Sequence, residues 1–283
     1  MGRTIPARST GGAGALHIGL WRGSAVHAYS GCMPTAPPDL HTLPRVYTDA
    51  PLAPGAVLPL APGQARHLRG ALRLRDGAMV RAFNGREGEW LARLESSSLV
   101  ADRQVRSQPA RAPGPALLFA PIKRERCAAL VEKAVELGAT DLAPVRTART
   151  LGQASATLTP ERLTAWALGA AEQSERLLQP ALHAPASLHA AVARWSQRPG
   201  PLYVCLERRE AGSVPYIGSV ALSTPCAFLI GPEGGFDAAE LAFLERLAAD
   251  HPNVRALWLG PEVLRSETAA ALCLAGVKLR TQP

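Results

Sequence analysis

Apolar and polar positions change rhythm twice along the chain. Up to about residue 43 there is no periodicity, only glycine and proline clusters (Gly11-Gly12, Pro37-Pro38) and little that would build a core. Residues 1–43 are therefore expected to form a disordered tail. No long apolar stretch there precedes a cleavage site, which argues against a signal peptide. Met33 is a candidate translation start, a hypothesis that a native N-terminal peptide from upstream of it would reject. From Arg45 to about Ser107 short strands alternate with tight turns. Ala78–Phe83 and Glu89–Leu94 flank Asn84-Gly85. Asn-Gly favours positive φ, and the additional Arg86–Gly88 predicts a longer, bulged hairpin loop. Asp76-Gly77 marks a second turn and Gly63–Leu72 a short helix. Residues 44–112 thus read as a small β domain, a barrel.

After the Pro/Ala/Arg/Gly linker Ser107–Gly114, strands and helices alternate. Ala116–Ala120 is an apolar strand. Arg124–Leu137 is a helix with Cys127, Leu130, Val131, Ala134 and Leu137 on one face and Gly138 just past its end. Asp141–Val145 is the next strand. Thr159 caps a helix that has Pro160 at its first position and Leu163, Trp166, Ala167, Ala170 and Ala171 as its apolar stripe. Ser187–Trp195 is a shorter helix, Leu202–Leu206 a strand, and Glu207–Thr224 a long, largely polar connection. Asp237 and Glu240 form a capping box, with Phe236 and Leu241 as its hydrophobic staple. The alternation predicts an α/β domain over residues 113–283.

Two strands in this domain end alike. Cys226–Ile230 is apolar throughout, as a strand buried on both faces must be, and runs into Gly231-Pro232-Glu233-Gly234-Gly235. Val254–Leu259 runs into Gly260-Pro261-Glu262, then Arg265-Ser266-Glu267-Thr268 and a closing helix to about Lys278. Open α/β sheets bind ligands beyond the carboxyl ends of their strands, so two such loops predict one pocket.

Composition adds two points. The 283 residues suffice for two domains with real cores, and no apolar run approaches the ~20 residues of a membrane span, so a soluble protein is expected. The five cysteines form no CxxC pair and the seven histidines show no ligand spacing with them. That predicts buried free thiols in a reducing compartment, with no metal site. The net charge of +8 favours a polyanionic partner. With 28 of the 31 basic residues arginine, in a chain rich in Ala, Gly and Pro, the same excess also reads as codon bias of a GC-rich genome. Arg66, Arg69, Arg73, Arg75 and Arg81 crowd into the β domain. They form either a solvated face or one that holds RNA phosphates in forked hydrogen bonds.

The chemistry of the loops narrows the ligand. Residues 231–240 contain neither a P-loop nor a G-x-G-x-x-G fingerprint, and they carry Glu233 and Asp237 but no lysine. Carboxylates repel phosphate and tolerate a sulfonium or ammonium, while glycine lets backbone N–H and C=O groups approach a ligand closely. S-adenosylmethionine suits these loops better than a nucleotide triphosphate. A turn that needs its glycines for φ and ψ and binds nothing is the alternative for the first loop alone. In the second, Arg265 and Glu267 either cap a helix as an ion pair or orient a substrate base.

Leu229–Phe236 followed by Leu259–Ala269 closely resembles the RsmE family, which methylates N3 of a uridine in 16S ribosomal RNA of the small subunit. Lys133, Glu136-Leu137-Gly138 and Glu172-Gln173-Ser174 match further motifs, and His67 and Leu72-Arg73 match its N-terminal domain more weakly. Glu175 departs from the pattern, where a small residue is usual before Arg176, and Leu177-Leu178-Gln179 drifts. The resemblance implies a SPOUT-type, trefoil-knotted α/β domain behind a PUA-like RNA-binding barrel, S-adenosylmethionine as methyl donor, a cytoplasmic homodimer, and 16S rRNA, in an assembled small subunit, as partner.

Carried over residue by residue, the resemblance implies cofactor contacts from Leu206, Ile230, Gly231, Pro232, Glu233, Gly234, Gly235, Leu259, Gly260, Val263 and Leu264. RNA contacts are expected from Arg66, Arg69, Arg73, Arg75, Lys123 and Arg176. Arg265 is the candidate to stabilise negative charge on the uridine oxygens, and Glu267, or water, to take the N3 proton. Competing readings are a related enzyme acting on another base or a ribose 2′-OH, and a non-catalytic RNA-binding protein. A nucleotide-dependent enzyme is disfavoured by the missing phosphate motif.

Overall fold

A computed structural model describes residues 39–150, 158–206 and 213–281 of the chain. The expected tail, up to residue 38, lies outside the described residues, as does the start of the Glu207–Thr224 connection.

The first sheet contains β1 (Arg45–Tyr47), β2 (Val57–Pro59), β3 (Met79–Phe83), β4 (Glu89–Glu95) and β5 (Ser98–Arg106), with a short helix α1 (Pro62–Arg66) that continues as a wider turn over His67–Ala71. Its order is β1-β3-β4-β5-β2, and it curls into a half-barrel with β1 and β2 at its edges. The β3–β4 hairpin pairs Phe83 with Glu89 around the Asn84–Gly88 loop. Asn84 fixes that loop by accepting the Arg86 and Glu87 N–H groups at Oδ1. Gly88 has φ +80, and a Cβ there would lie 2.2 Å from the Arg106 carbonyl, so no larger residue fits. Leu58, Leu68, Val80, Leu94 and Leu99 fill the half-barrel core.

The second sheet contains β6 (Pro115–Phe119), β7 (Asp141–Arg146), β8 (Ala181–Leu182), β9 (Ala186–Ser187), β10 (Leu202–Leu206), β11 (Cys226–Ile230) and β12 (Val254–Trp258). The order is β12-β10-β11-β6-β7-β8, with β9 also beside β7, and every pairing is parallel. All residues of β6, β10 and β11 are buried. Helices cover both faces, which is why these strands read as unbroken apolar runs. Side chains alternate between the two layers: Leu117, Phe119 and Phe228 join the core under α2 (Arg124–Glu136), α3 (Pro160–Gln173) and α6 (Ser266–Thr281). Ala116, Leu118 and Leu229 join the core under α4 (Leu188–Ser196) and α5 (Ala238–Asp250). Among the described residues no helix is long and apolar enough to cross a membrane.

The helix ends follow the local chemistry. Thr159 caps α3 through the Arg162 N–H, Ser187 caps α4 through the Ala190 N–H, and Asp237 and Glu240 complete the capping box of α5. The end of α2 is a Schellman motif: Gly138, at φ +94, donates to Val135 O, and Ala139 donates to Ala134 O.

Three arginines expected at an RNA surface are engaged elsewhere. Arg176 donates to the carbonyls of Val135 (2.8 Å) and Ala139 (2.6 Å), so it caps the C-terminal end of α2, where the helix dipole favours a cation. Burial pushes its guanidinium down to about 10, and its hydrogen bonds in this structure are to backbone carbonyls. Arg81 turns inward to Glu89 and Glu175, with its side chain 4% exposed. Arg69 is half-buried, bonded to Asp76 and to the Ser96 carbonyl. Arg66, Arg73, Arg75 and Lys123 are exposed.

Candidate active site

β12, β10 and β11 are neighbours, so their carboxyl ends (Trp258, Leu206, Ile230) open on one edge of the sheet. The loops at 231–237 and 259–265 meet there. Ser266 Oγ donates to the Gly231 carbonyl at 3.0 Å and ties the second loop to the first. Between them lie two adjoining compartments that share Cys205, Leu206 and Gly231. The inner one, about 30 Å³, is walled by Ile230, Leu259, Gly260, Leu264 and Ala269. The outer one, about 350 Å³, is walled by Glu233, Gly234, Gly235, Phe236, Val263 and Arg149. Of the residues expected to hold a cofactor, Pro232 lines neither: it is buried inside the turn, where its carbonyl accepts the Gly235 N–H at 2.8 Å.

The glycines have definite tasks. Gly260 has φ +130, a conformation that side chains rarely adopt. At Gly231 a Cβ would press on the Phe236 ring at 3.1 Å and narrow the crevice.

The polar groups are distributed differently from the sequence-based expectation. Glu267 is not a free base. Arg126, in the first turn of α2, donates from Nε to Glu267 Oε1 at 3.0 Å and from Nη2 to Oε2 at 2.7 Å, and from Nη1 to Glu233 Oε1. Burial on its own would raise the Glu267 carboxyl. The Arg126 hydrogen bonds, a backbone N–H and the charges of Arg126 and Arg265 outweigh it and hold the carboxyl below its ordinary value. A weakly basic carboxylate with both oxygens engaged is a poor proton acceptor. The Arg126 guanidinium is raised in return, chiefly by its hydrogen bond to Glu267. Arg265 is exposed and lines neither compartment; it stands between Leu264 and Ser266, which line the inner one. Arg149, beyond β7, donates to the Gly234 carbonyl at 2.7 Å.

Arg126 and Arg149 escape a motif search because each enters from an element distant in sequence, helix α2 or the loop after β7. One local signal exists: a cation in the first turn of a helix opposes the helix dipole, and Arg126 sits there without a side-chain cap before it.

A second hollow of about 360 Å³ lies at the opposite, amino-terminal edge of the strands, lined by Asp141, Trp195, Arg198 and Cys226 among others. Its carboxylate is already engaged, Asp141 bonding His183, Arg198 and Thr140. Two facing glycine loops at the carboxyl ends, by contrast, are where open α/β sheets bind. The crevice is therefore taken as the candidate site.

The described features agree with known proteins. Residues 113–278 match the family model of an RNA methyltransferase domain, and residues 60–99 that of an RNA methyltransferase PUA domain. Ribosomal RNA small subunit methyltransferase E of Rickettsia conorii is 30% identical over 240 residues, covering 83% of this chain and 95% of that protein. The chain belongs to the ribosomal RNA small subunit methyltransferase E family. Its fold is that of solved members and relatives. The Neisseria gonorrhoeae member, bound to S-adenosylmethionine, superposes with a TM-score of 0.66 at 26% identity, over 82% of this chain and 95% of that one. A methyltransferase from Legionella pneumophila in complex with the same cofactor gives 0.67 at 26% identity, with the same coverage. Family membership makes the chain an RNA methyltransferase, built as a parallel α/β domain behind a PUA-type half-barrel.

Proposed function

We propose that this protein transfers a methyl group from S-adenosylmethionine to N3 of one uridine in 16S rRNA of the small ribosomal subunit. The observation that carries this reading is the crevice itself: two Gly-Pro-Glu loops over an apolar floor, with carboxylates and no phosphate-binding lysine. Such a lining fits a cationic, adenine-bearing methyl donor. The backbone of Gly231, Gly234, Gly235 and Gly260, and the side chains of Leu206, Ile230, Leu259, Val263 and Leu264, would hold it. When bound, S-adenosylmethionine supplies an electrophilic methyl carbon.

The remaining chemistry belongs to the chain. As N3 loses its proton, negative charge spreads onto the uridine oxygens, and a guanidinium placed beside them stabilises it. Arg265 is assigned that role, being exposed between two residues that line the crevice. Since Glu267 is committed to Arg126, the N3 proton is assigned to solvent water. Orientation of the base supplies a further part of the rate. A target base must leave its stack to reach the crevice, so Arg66, Arg73, Arg75 and Lys123 are assigned to grip the RNA around it. The division into domains at residues 44–112 and 113–283, the trefoil knot, a cytoplasmic location and an assembled small subunit as substrate follow from the same reading. So does a homodimer, and Leu272 and Leu279, exposed on one side of α6, support it.

The test is incubation with radiolabelled S-adenosylmethionine and undermethylated small subunits, followed by nucleoside analysis. Label in 3-methyluridine is expected. Label in a 2′-O-methylated nucleoside, in another base, or nowhere overturns the assignment.

A further inference from the structure

We infer that Arg126 is a positioning residue for methyl transfer, clasping the first glycine loop to the start of α6, directly after the second loop, and so holding the two loops at one fixed separation. The inference rests on the function proposed above.

Glu233 belongs to the first loop and Glu267 to the first turn of α6, directly after the second, and Arg126 comes from a third element, α2. The contact with Glu267 is bidentate, a geometry in which a planar guanidinium fixes orientation as well as distance. All three side chains are between 20% and 29% exposed, so solvent reaches the cluster without dominating it. Without the guanidinium that bridges them, the Glu233 and Glu267 carboxylates would be left close together and uncompensated, and would push the first loop away from the start of α6. The placement also runs against local helix energetics. Arg124 and Arg126 both occupy the first turn of α2, whose dipole disfavours cations, and Lys123 at the N-cap offers no side-chain hydrogen bond. A residue that violates a local rule and is satisfied only by tertiary partners points to a functional constraint.

The reach of such a clasp is large. Displacing reacting groups by about 1 Å costs on the order of a hundredfold in rate. Lysine cannot replace arginine here, because an ammonium lacks the fork that meets two carboxylates at once.

The experiment uses the full chain as wild type, Arg126→Met, Arg126→Lys, Glu233→Gln and Arg126→Met/Glu233→Gln. Two readouts are taken: amide hydrogen exchange of residues 231–236 and 259–266, and single-turnover methylation of small subunits at saturating S-adenosylmethionine. In Arg126→Met, exchange should rise about tenfold in both loops at once while that of strand β6 stays unchanged. Turnover should fall on the order of a hundredfold. Millimolar guanidinium should restore part of it, and sodium chloride at equal ionic strength should not. Removing Glu233 as well should add less than its separate cost, as expected of residues in one cluster. Exchange that changes in one loop or neither, turnover within about threefold of wild type, or a loss that guanidinium does not relieve would each overturn the inference. Wild type that transfers no methyl group would instead sink the proposed function, while the exchange measurement still decides whether Arg126 clasps the loops.

Discussion

Arg45 Nε lies 2.5 Å from Glu89 Oε1, and neither side chain is more than 3% exposed. From the same guanidinium, Nη1 donates to the Ala171 and Glu172 carbonyls and Nη2 to that of Arg176, at the C-terminal end of α3. Arg81 and Arg106 also pair with Glu89. One buried carboxylate thus organises the cations that dock the half-barrel onto the α/β domain.

Glu89→Ala should therefore destabilise the protein by about 3–5 kcal/mol, because it leaves buried guanidinium groups uncompensated. Urea unfolding of the two proteins measures this. A change below about 1 kcal/mol would mean that water replaces the carboxylate at little cost.

Glu175 carries the pH dependence of this joint. Its hydrogen bond to Arg81 is the largest cause of a carboxyl depressed from 4.5 to about 2. A depressed carboxyl contributes stability that is fully present above its unfolded value and is lost as pH falls through the folded one. Wild type should exceed Glu175→Gln in stability above pH 4.5, and the gap should close between pH 4.5 and 2. After discounting for its one-third exposure, the gap is about 1–2 kcal/mol. Parallel denaturation curves across that window decide it; a gap that persists at the acid end contradicts the assignment.

Arg176→Met separates a structural from an RNA-binding arginine. Loss of charged hydrogen bonds to buried carbonyls should cost about 1.5–3 kcal/mol of stability, while affinity of the folded variant for small-subunit RNA should match wild type. Arg73→Ala should show the reverse, with weaker RNA binding and a smaller dependence on salt. Filter binding over a salt series, with thermal melts, distinguishes the two.

For Arg265, turnover and affinity should part company. Arg265→Ala should lower turnover by about a hundredfold, the usual cost of one donor to a developing anion, and leave calorimetric affinity for S-adenosylmethionine nearly unchanged. Equal losses in both would make Arg265 a cofactor-binding residue.

The elements were legible wherever a contiguous stretch carries their cause. Cys226–Ile230 had to be a buried strand, Asp237 with Glu240 had to start a helix, and two Gly-Pro-Glu turns implied loops that meet. Arg81 could not be read this way. Four of the five residues of β3, Val80–Phe83, are buried, because the half-barrel packs against the α/β domain and the outer face of the strand is covered too. Alternation then ceases to report which side chain meets solvent. Arg176 and Arg126 fail for a related reason: their partners are carbonyls and carboxylates contributed by elements far away in sequence. The departure at Glu175 does find a local account, since this residue has φ +54 after the end of α3 and its carboxylate faces Arg81. Glycine would suit that backbone better, and the ion pair offsets the cost.

The grip on α2 at both tips makes its length a fixed quantity. Arg126 is held at one tip, while Arg176 and Lys278 donate to carbonyls at the other. Adding one residue midway would turn the first tip by about 100° and advance it by about 1.5 Å relative to the second, swinging the guanidinium away from both carboxylates. Substitutions along the outer face of this helix are tolerable where an insertion is not, so natural variation in this segment should take the form of exchanges, never of gaps.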